Sequence, residues 1–269
     1  MREPDELTVL IAAAKRYLED RVSMGETSIV VGSGSDSRPK RGLALSVSGP
    51  GDPAAGPPRA GKAASSGAAR GDCHEDSARS VIEVDRRALG EVEKRVSVCT
   101  LCPLHKTRTQ TVFGTGSGKT GLVFVGEAPG RDEDLQGVPF VGRAGQLLTR
   151  IIEAIKFSRD DVYITNVIKC RPEGNRDPLP DEVRLCSPYL VRQMELLKPR
   201  AICALGRFAA EALSGVKLSM AEYRRADLSY NRVRVIATYH PAACLRNPDL
   251  KKLVWEDVQK LREVWKNSA

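Results

Sequence analysis

The chain has 269 residues, 41% of them hydrophobic, with 42 Lys plus Arg against 34 Asp plus Glu and a formal net charge of +8. That length allows one or two domains. No apolar run approaches the ~20 residues of a membrane-spanning helix, and the acidic start at Glu3, Asp5 and Glu6 lacks the basic-then-apolar pattern of a secretory signal, so a cytoplasmic protein with no membrane contact is expected.

Residues 5–22, DELTVLIAAAKRYLEDRV, place Leu7, Leu10, Ile11, Ala14 and Leu18 at helical spacing. They predict a short amphipathic helix within an N-terminal extension, residues 1–31. Residues 32–80 change character. The run SGPGDPAAGPPRAGKAASSGAARGD holds few large apolar side chains, too little apolar surface to offset the entropy of ordering. A disordered linker is expected there. Residues 1–80 carry 11 basic and 11 acidic side chains, so the whole basic excess falls beyond residue 80. A basic folded part favours a polyanionic partner.

Residues 81–269 read as one α/β domain. A helix over 82–97 is followed by strand-like runs at 121–126 (GLVFVG), 161–167 (DVYITNV), 201–206 (AICALG) and 233–239 (VRVIATY). Helical stretches lie between them at AGQLLTRIIEAI, DEVRLCSPYLVRQMELL and RFAAEAL, and KLVWEDVQKLREVW closes the chain. Short, nearly all-apolar strands alternating with helices imply a central parallel sheet covered on both faces. Ligands of such sheets bind beyond the carboxyl ends of the strands. The polar loops that follow the strands, GEAPGRDED, NVIKCRPEGNRDP and HPAACLRNP, should therefore meet at one cleft.

The stretch GTGSGKT at 114–120 imitates a nucleotide-binding loop but misses it by one residue. The first glycine of that motif would fall at Phe113, and the apolar strand comes after the glycines rather than before them. A turn feeding a strand is the expected role, with Lys119 either beside a DNA backbone or on a mobile turn.

Seven cysteines in a reducing compartment point to metal ligands or buried thiols. Cys99 and Cys102 form a CxxC pair; Cys170 follows the second strand and Cys186 lies in the next helix. Four thiolates suit either zinc or an iron–sulfur cluster, and the spacing leaves both open. Cys203 sits in an apolar strand and reads as core, Cys73 falls in the linker, and Cys244 has no evident partner.

The motifs GEAPGRDED, GVPFVGRAGQLL, ITNVIKCRPEGNRDP and HPAACLRNP, in that order and with these four cysteines, closely resemble the family 4 uracil-DNA glycosylases, bacterial and archaeal repair enzymes that carry a [4Fe–4S] cluster. The resemblance spans residues 83–266. It implies the three-layer α/β/α uracil-glycosylase fold, cluster ligation by Cys99, Cys102, Cys170 and Cys186, and uracil-containing DNA as partner. The implied reaction is hydrolysis of the bond between a flipped uracil and its deoxyribose, leaving an abasic site for base excision repair, by a monofunctional enzyme acting as a monomer. A related branch that captures DNA covalently carries an inserted basic loop ending in histidine, which this chain lacks.

The resemblance and the chemistry of the residues together suggest roles. Phe140 would stack on the base, Asn166 would read O4 and N3–H, and His240 would meet the charge that builds on O2. Glu133 would border the pocket and exclude the thymine methyl group. Other branches activate water with an Asp at the place of Ala128, so water placement here would fall to Glu127 and Asn175. Leu245 would wedge into the stack, and Arg246, Lys169, Arg171, Arg176 and Arg143 would supply positive charge toward DNA. The competing readings are a non-catalytic nucleic-acid-binding module with a structural metal site, or a glycosylase for another deaminated base. No partner is specified for residues 1–80.

Overall fold

A computed structural model of the chain describes residues 82–268. The N-terminal amphipathic helix and the Gly/Pro-rich linker lie outside the described residues. Within them the order is α1 (Arg86–Ser97), a 3-10 turn (Pro103–Lys106), β1 (Leu122–Gly126), α2 (Arg131–Gln136), α3 (Arg143–Ala154), β2 (Tyr163–Asn166), a 3-10 turn (Glu173–Asn175), α4 (Pro180–Leu197), β3 (Ala201–Leu205), α5 (Arg207–Ser214), α6 (Met220–Tyr223), β4 (Leu228–Tyr230), β5 (Val233–Thr238), α7 (Pro241–Arg246) and α8 (Leu250–Asn267).

The sheet runs β2-β1-β3-β5-β4. Its first four strands are parallel, and β4 joins the edge antiparallel to β5. Every residue of β1, β2 and β3 is buried, which is why these strands are apolar without alternation. Their side chains divide between two cores. Val123, Val125, Tyr163, Ile202 and Ala204 pack with Leu89 and Val92 of α1, Leu190 and Met194 of α4 and Ala209 of α5. Leu122, Phe124, Ile164, Ala201 and Cys203 pack with Leu148 and Ile152 of α3 and Val254, Val258 and Leu261 of α8. Helices thus cover both faces, giving the expected three layers. Phe124 is fully buried; losing such a ring costs about 3–5 kcal/mol.

Four elements escape the sequence pattern: the short helices α2, in the expected loop GEAPGRDED, α6 and α7, and the strand β4. The edge strand β4 has three residues and joins β5 through Asn231 and Arg232, both in the left-handed region at φ 47° and 69°. Two such residues make the tight primed turn that suits a hairpin, but an arginine gives no sign of it. HPAACLRNP, expected as loop, contains the short helix α7.

The GTGSGKT segment is held in place by its partners. The chain pairs antiparallel with the outer edge of β2 through Thr115 and Ile164. Arg86 donates to the carbonyls of Gly116 and Ser117, and Lys119 pairs with Asp161 at 2.7 Å. The loop turns carbonyls toward a cation and precedes β1, and Lys119 is paired with Asp161, which lies five residues back from Asn166 at the far end of β2, roughly 15 Å from it at 3.3 Å per residue. Lys119→Ala should therefore leave the salt dependence of DNA binding unchanged, where loss of a phosphate contact would lower the slope of log K against log salt by about 0.9.

Candidate active site

At the carboxyl ends of β1, β2 and β5 the polar loops enclose a cavity of about 430 Å³. Glu127, Glu133, Phe140, Asn166, Asn175 and His240 all line it. The structure thus brings together the residues that the sequence assigned to base recognition and water placement.

Asn166 ends β2, 1% exposed, with its Oδ1 buried and without a hydrogen-bond partner. Gly126, its neighbour across the strand pair, makes room for it. A methyl group built on Gly126 would lie 2.6 Å from Phe140 Cζ and closer still to Asn166 Oδ1. A glycine at a strand end signals such a close approach, a cue available in the sequence but not used there. Gly126→Ala should abolish uracil excision by filling this floor, with uracil binding measured by titration falling in parallel.

Phe140 sits in the left-handed region, φ 54°, a strain of about 1–3 kcal/mol for a non-glycine residue. Its loop is braced from both sides. Glu133 Oε1 accepts from the Val141 and Gly142 backbone N–H groups at 2.9 and 3.1 Å, and Arg159 donates to the Pro139 carbonyl at 2.7 Å. Glu133 therefore holds the ring in place as well as bordering the cavity. The Phe140 and His240 rings lie 5.4 Å apart, tilted by 32°.

His240 is the N-cap of α7, with Pro241 at the first helical position, where a missing N–H costs nothing. Its Nδ1 accepts from the Ala242 N–H at 3.2 Å. The proton of the neutral ring is thereby placed on Nε2, as a donor. Burial, reinforced by Arg246 and opposed by Glu133, pulls the ring's pKa down to about 4, so it is uncharged at neutral pH.

Glu127 follows β1 and lines the cavity. Burial raises its pKa, the Asp177 carboxylate adds to the effect, and Arg207 opposes it. Asp177, which also lines the cavity, was not singled out from the sequence; only its place in GNRDP hinted at it. Asn175 is exposed, at φ 56°, and its Oδ1 accepts from Arg171 Nε at 2.8 Å.

Of the residues assigned to DNA, Arg246 is exposed at the cavity rim and Leu245 is half-buried beside it. Arg143 is exposed at the start of α3. Arg176 forks onto Glu182 at 2.9 and 2.6 Å. Lys169 corrects its expectation: it is 1% exposed, with its amine spent on interior acceptors, and cannot reach a phosphate. Burial pulls its pKa down to about 7, against the opposing influence of Cys186 and Cys170.

Cys99, Cys102, Cys170 and Cys186 line one pocket between α1 and α4. Donors face the sulfurs: Arg108 Nη1 reaches Cys170 Sγ at 3.1 Å and the Lys169 N–H reaches Cys186 Sγ at 3.3 Å. Burial raises the Cys102 and Cys170 thiols and pushes Cys186 up to about 12. Among the described residues, no three His, Cys, Asp or Glu side chains are grouped as the ligands of a single ion. Cys203 is core, as expected, and Cys244 is buried. No helix among the described residues is long and apolar enough to cross a membrane.

Comparison with known proteins agrees with this geometry. The uracil DNA glycosylase superfamily model matches residues 113–262. A type-4 uracil-DNA glycosylase of Archaeoglobus fulgidus is 48% identical over 188 residues, 66% of this chain and 93% of that protein. One from Thermotoga maritima is 44% identical, over 66% of this chain and 95% of that protein. A type-5 uracil-DNA glycosylase of Pyrobaculum aerophilum is 31% identical, over 67% and 73%. The chain belongs to the uracil DNA glycosylase superfamily, in its type-4 branch.

Proposed function

We propose that this chain is a uracil-DNA glycosylase that takes a uracil flipped out of DNA into the cavity and hydrolyses its bond to deoxyribose, leaving an abasic site for repair. The observation that carries the reading is the buried Asn166 Oδ1 with no partner, at the floor of a cavity shared with Phe140 and His240. An orphaned buried acceptor costs about 1–3 kcal/mol. Uracil N3–H would satisfy it, while the amide N–H meets O4. Cytosine presents an acceptor at N3 and a donor at C4, so it meets like with like.

Phe140 offers the face on which the base stacks. Glu133 holds that ring and stands where the methyl group of thymine would enter. As the glycosidic bond breaks, negative charge builds on uracil and positive charge on the sugar. His240 Nε2–H donates to O2 without needing a second proton, and a donor so placed is worth about 10²–10³ in rate. Glu127 orients the attacking water, and with Asp177 it sets negative potential beside the developing sugar cation. Asn175, held by Arg171, flanks that water. Arg246 meets phosphate and Leu245 fills the gap left by the base.

The four-cysteine pocket fits a [4Fe–4S] cluster: the donor set is all thiol, and N–H groups already point at two of the sulfurs. Cys99, Cys102, Cys170 and Cys186 would hold it. When bound, it would supply a covalent tether joining the segment after α1, the segment after β2 and α4. The enzyme acts as a cytoplasmic monomer.

Incubation with a uracil-containing oligonucleotide, followed by hot alkali, tests the reading. Strand scission after alkali but not before it supports a monofunctional glycosylase. Binding without base release contradicts it and favours a non-catalytic nucleic-acid module.

A further inference from the structure

Lys169 has no part in that account, yet it is among the largest fully buried side chains of the described residues. Burying an ammonium costs several kcal/mol unless its donors are met and its charge balanced. Its donors are met. Nζ lies 2.7 Å from Thr165 Oγ1, 2.7 Å from the Asn166 carbonyl and 2.6 Å from Gln193 Oε1.

The neighbours fix the direction of these bonds. The Thr165 hydroxyl donates to the Phe113 carbonyl at 2.8 Å, and Gln193 Nε2 donates to the same carbonyl at 3.0 Å and to the Tyr163 hydroxyl at 3.2 Å. All three partners therefore face Lys169 as acceptors, and three acceptors call for the three donors of an ammonium. All three are also neutral, so the balancing charge must come from elsewhere. Lys169 lines the four-cysteine pocket, precedes Cys170 and gives its backbone N–H to Cys186. On its other side it grips Thr165 and the main chain of Asn166, the last two residues of β2.

We propose that Lys169 is a positioning residue that joins the two sites: its ammonium is the buried counter-charge of the thiolate-bound cluster and, through the Asn166 carbonyl, the clamp that sets the amide against the base. The proposal rests on the cluster reading above. It makes two separable demands. A cluster that loses a buried positive neighbour becomes harder to reduce, because net local charge sets its potential. A strand end that loses its clamp presents Asn166 less well, which lowers the rate of the chemical step more than it weakens DNA binding.

The test compares wild type, Lys169→Met and Lys169→Gln for iron content, cluster reduction potential, and kcat and KM on a uracil-containing oligonucleotide. About four irons per chain are expected in wild type. Both variants should shift the potential to more negative values. Lys169→Met should lower kcat about tenfold or more with little change in KM. Lys169→Gln keeps an N–H for the Asn166 carbonyl and should recover part of kcat but none of the potential. If Lys169→Met does not accumulate as folded protein, Lys169→Gln carries both readouts. Wild type purified without iron would overturn the cluster reading itself. Iron-loaded variants whose potential and kcat match those of wild type, with thermal stability alone reduced, would overturn the role of Lys169.

Discussion

Asn166→Leu should lower kcat/KM on a uracil-containing oligonucleotide about 100-fold or more while leaving the melting temperature unchanged or raised. Leucine keeps the branched shape of asparagine at a somewhat larger volume but removes both the donor and the acceptor that meet the edge of uracil. Two hydrogen bonds in a water-excluded site, at about 1–3 kcal/mol each, give a loss of that size. The stability side is the more diagnostic. In the free protein Asn166 Oδ1 is buried and unpaired, so the fold gains nothing from it, and an apolar side chain relieves the penalty. Activity and stability should move in opposite directions, as at sites kept for function. Single-turnover excision and a thermal melt of the same preparation check both halves. A leucine variant that is destabilised yet active would mean that the amide serves the fold.

His240→Asn should reduce kcat by about 10²–10³ with little effect on DNA binding. Asparagine is chosen because it also caps helices well and can keep the bond to the Ala242 N–H, while its shorter side chain no longer reaches the base. Alanine would remove the cap along with the donor and confound the two. The pH profile adds a second check. With the ring's pKa drawn down to about 4, His240 stays neutral across the physiological range, so the acid limb that it contributes should appear near pH 4 rather than near 6.5. Stability carries the same sign. The folded state resists protonation of this ring, so as pH falls from 6.5 toward 4 the unfolded chain binds the proton first and the fold weakens.

The sheet was legible because β1, β2 and β3 are buried on both faces, and their unbroken apolar runs admit few alternatives. The edge hairpin was not, because three residues and an Asn-Arg turn leave almost no pattern. The site was legible where function shows as a residue type in an unusual place, such as an asparagine ending an apolar strand or a histidine before a proline. Lys169 shows the limit. A lysine among Arg171, Arg176 and a Pro/Gly loop reads as a cation for DNA, and its burial depends on acceptors up to 24 positions away in the chain, at Gln193. Asp177 and Gly126 matter through what stands opposite them, which the order of residues does not reveal. For Glu133, the sequence suggested a wall of the pocket; the bonds to Val141 and Gly142 add the bracing of a strained phenylalanine.

The most direct measurement is a crystal structure of the protein soaked with free uracil, or bound to DNA carrying a non-hydrolysable uridine analogue. The account predicts one ring stacked on Phe140, with N3 and O4 paired to the Asn166 side chain and O2 within hydrogen-bond reach of His240 Nε2. A base bound away from Asn166, or one that leaves its Oδ1 unpaired, would contradict it.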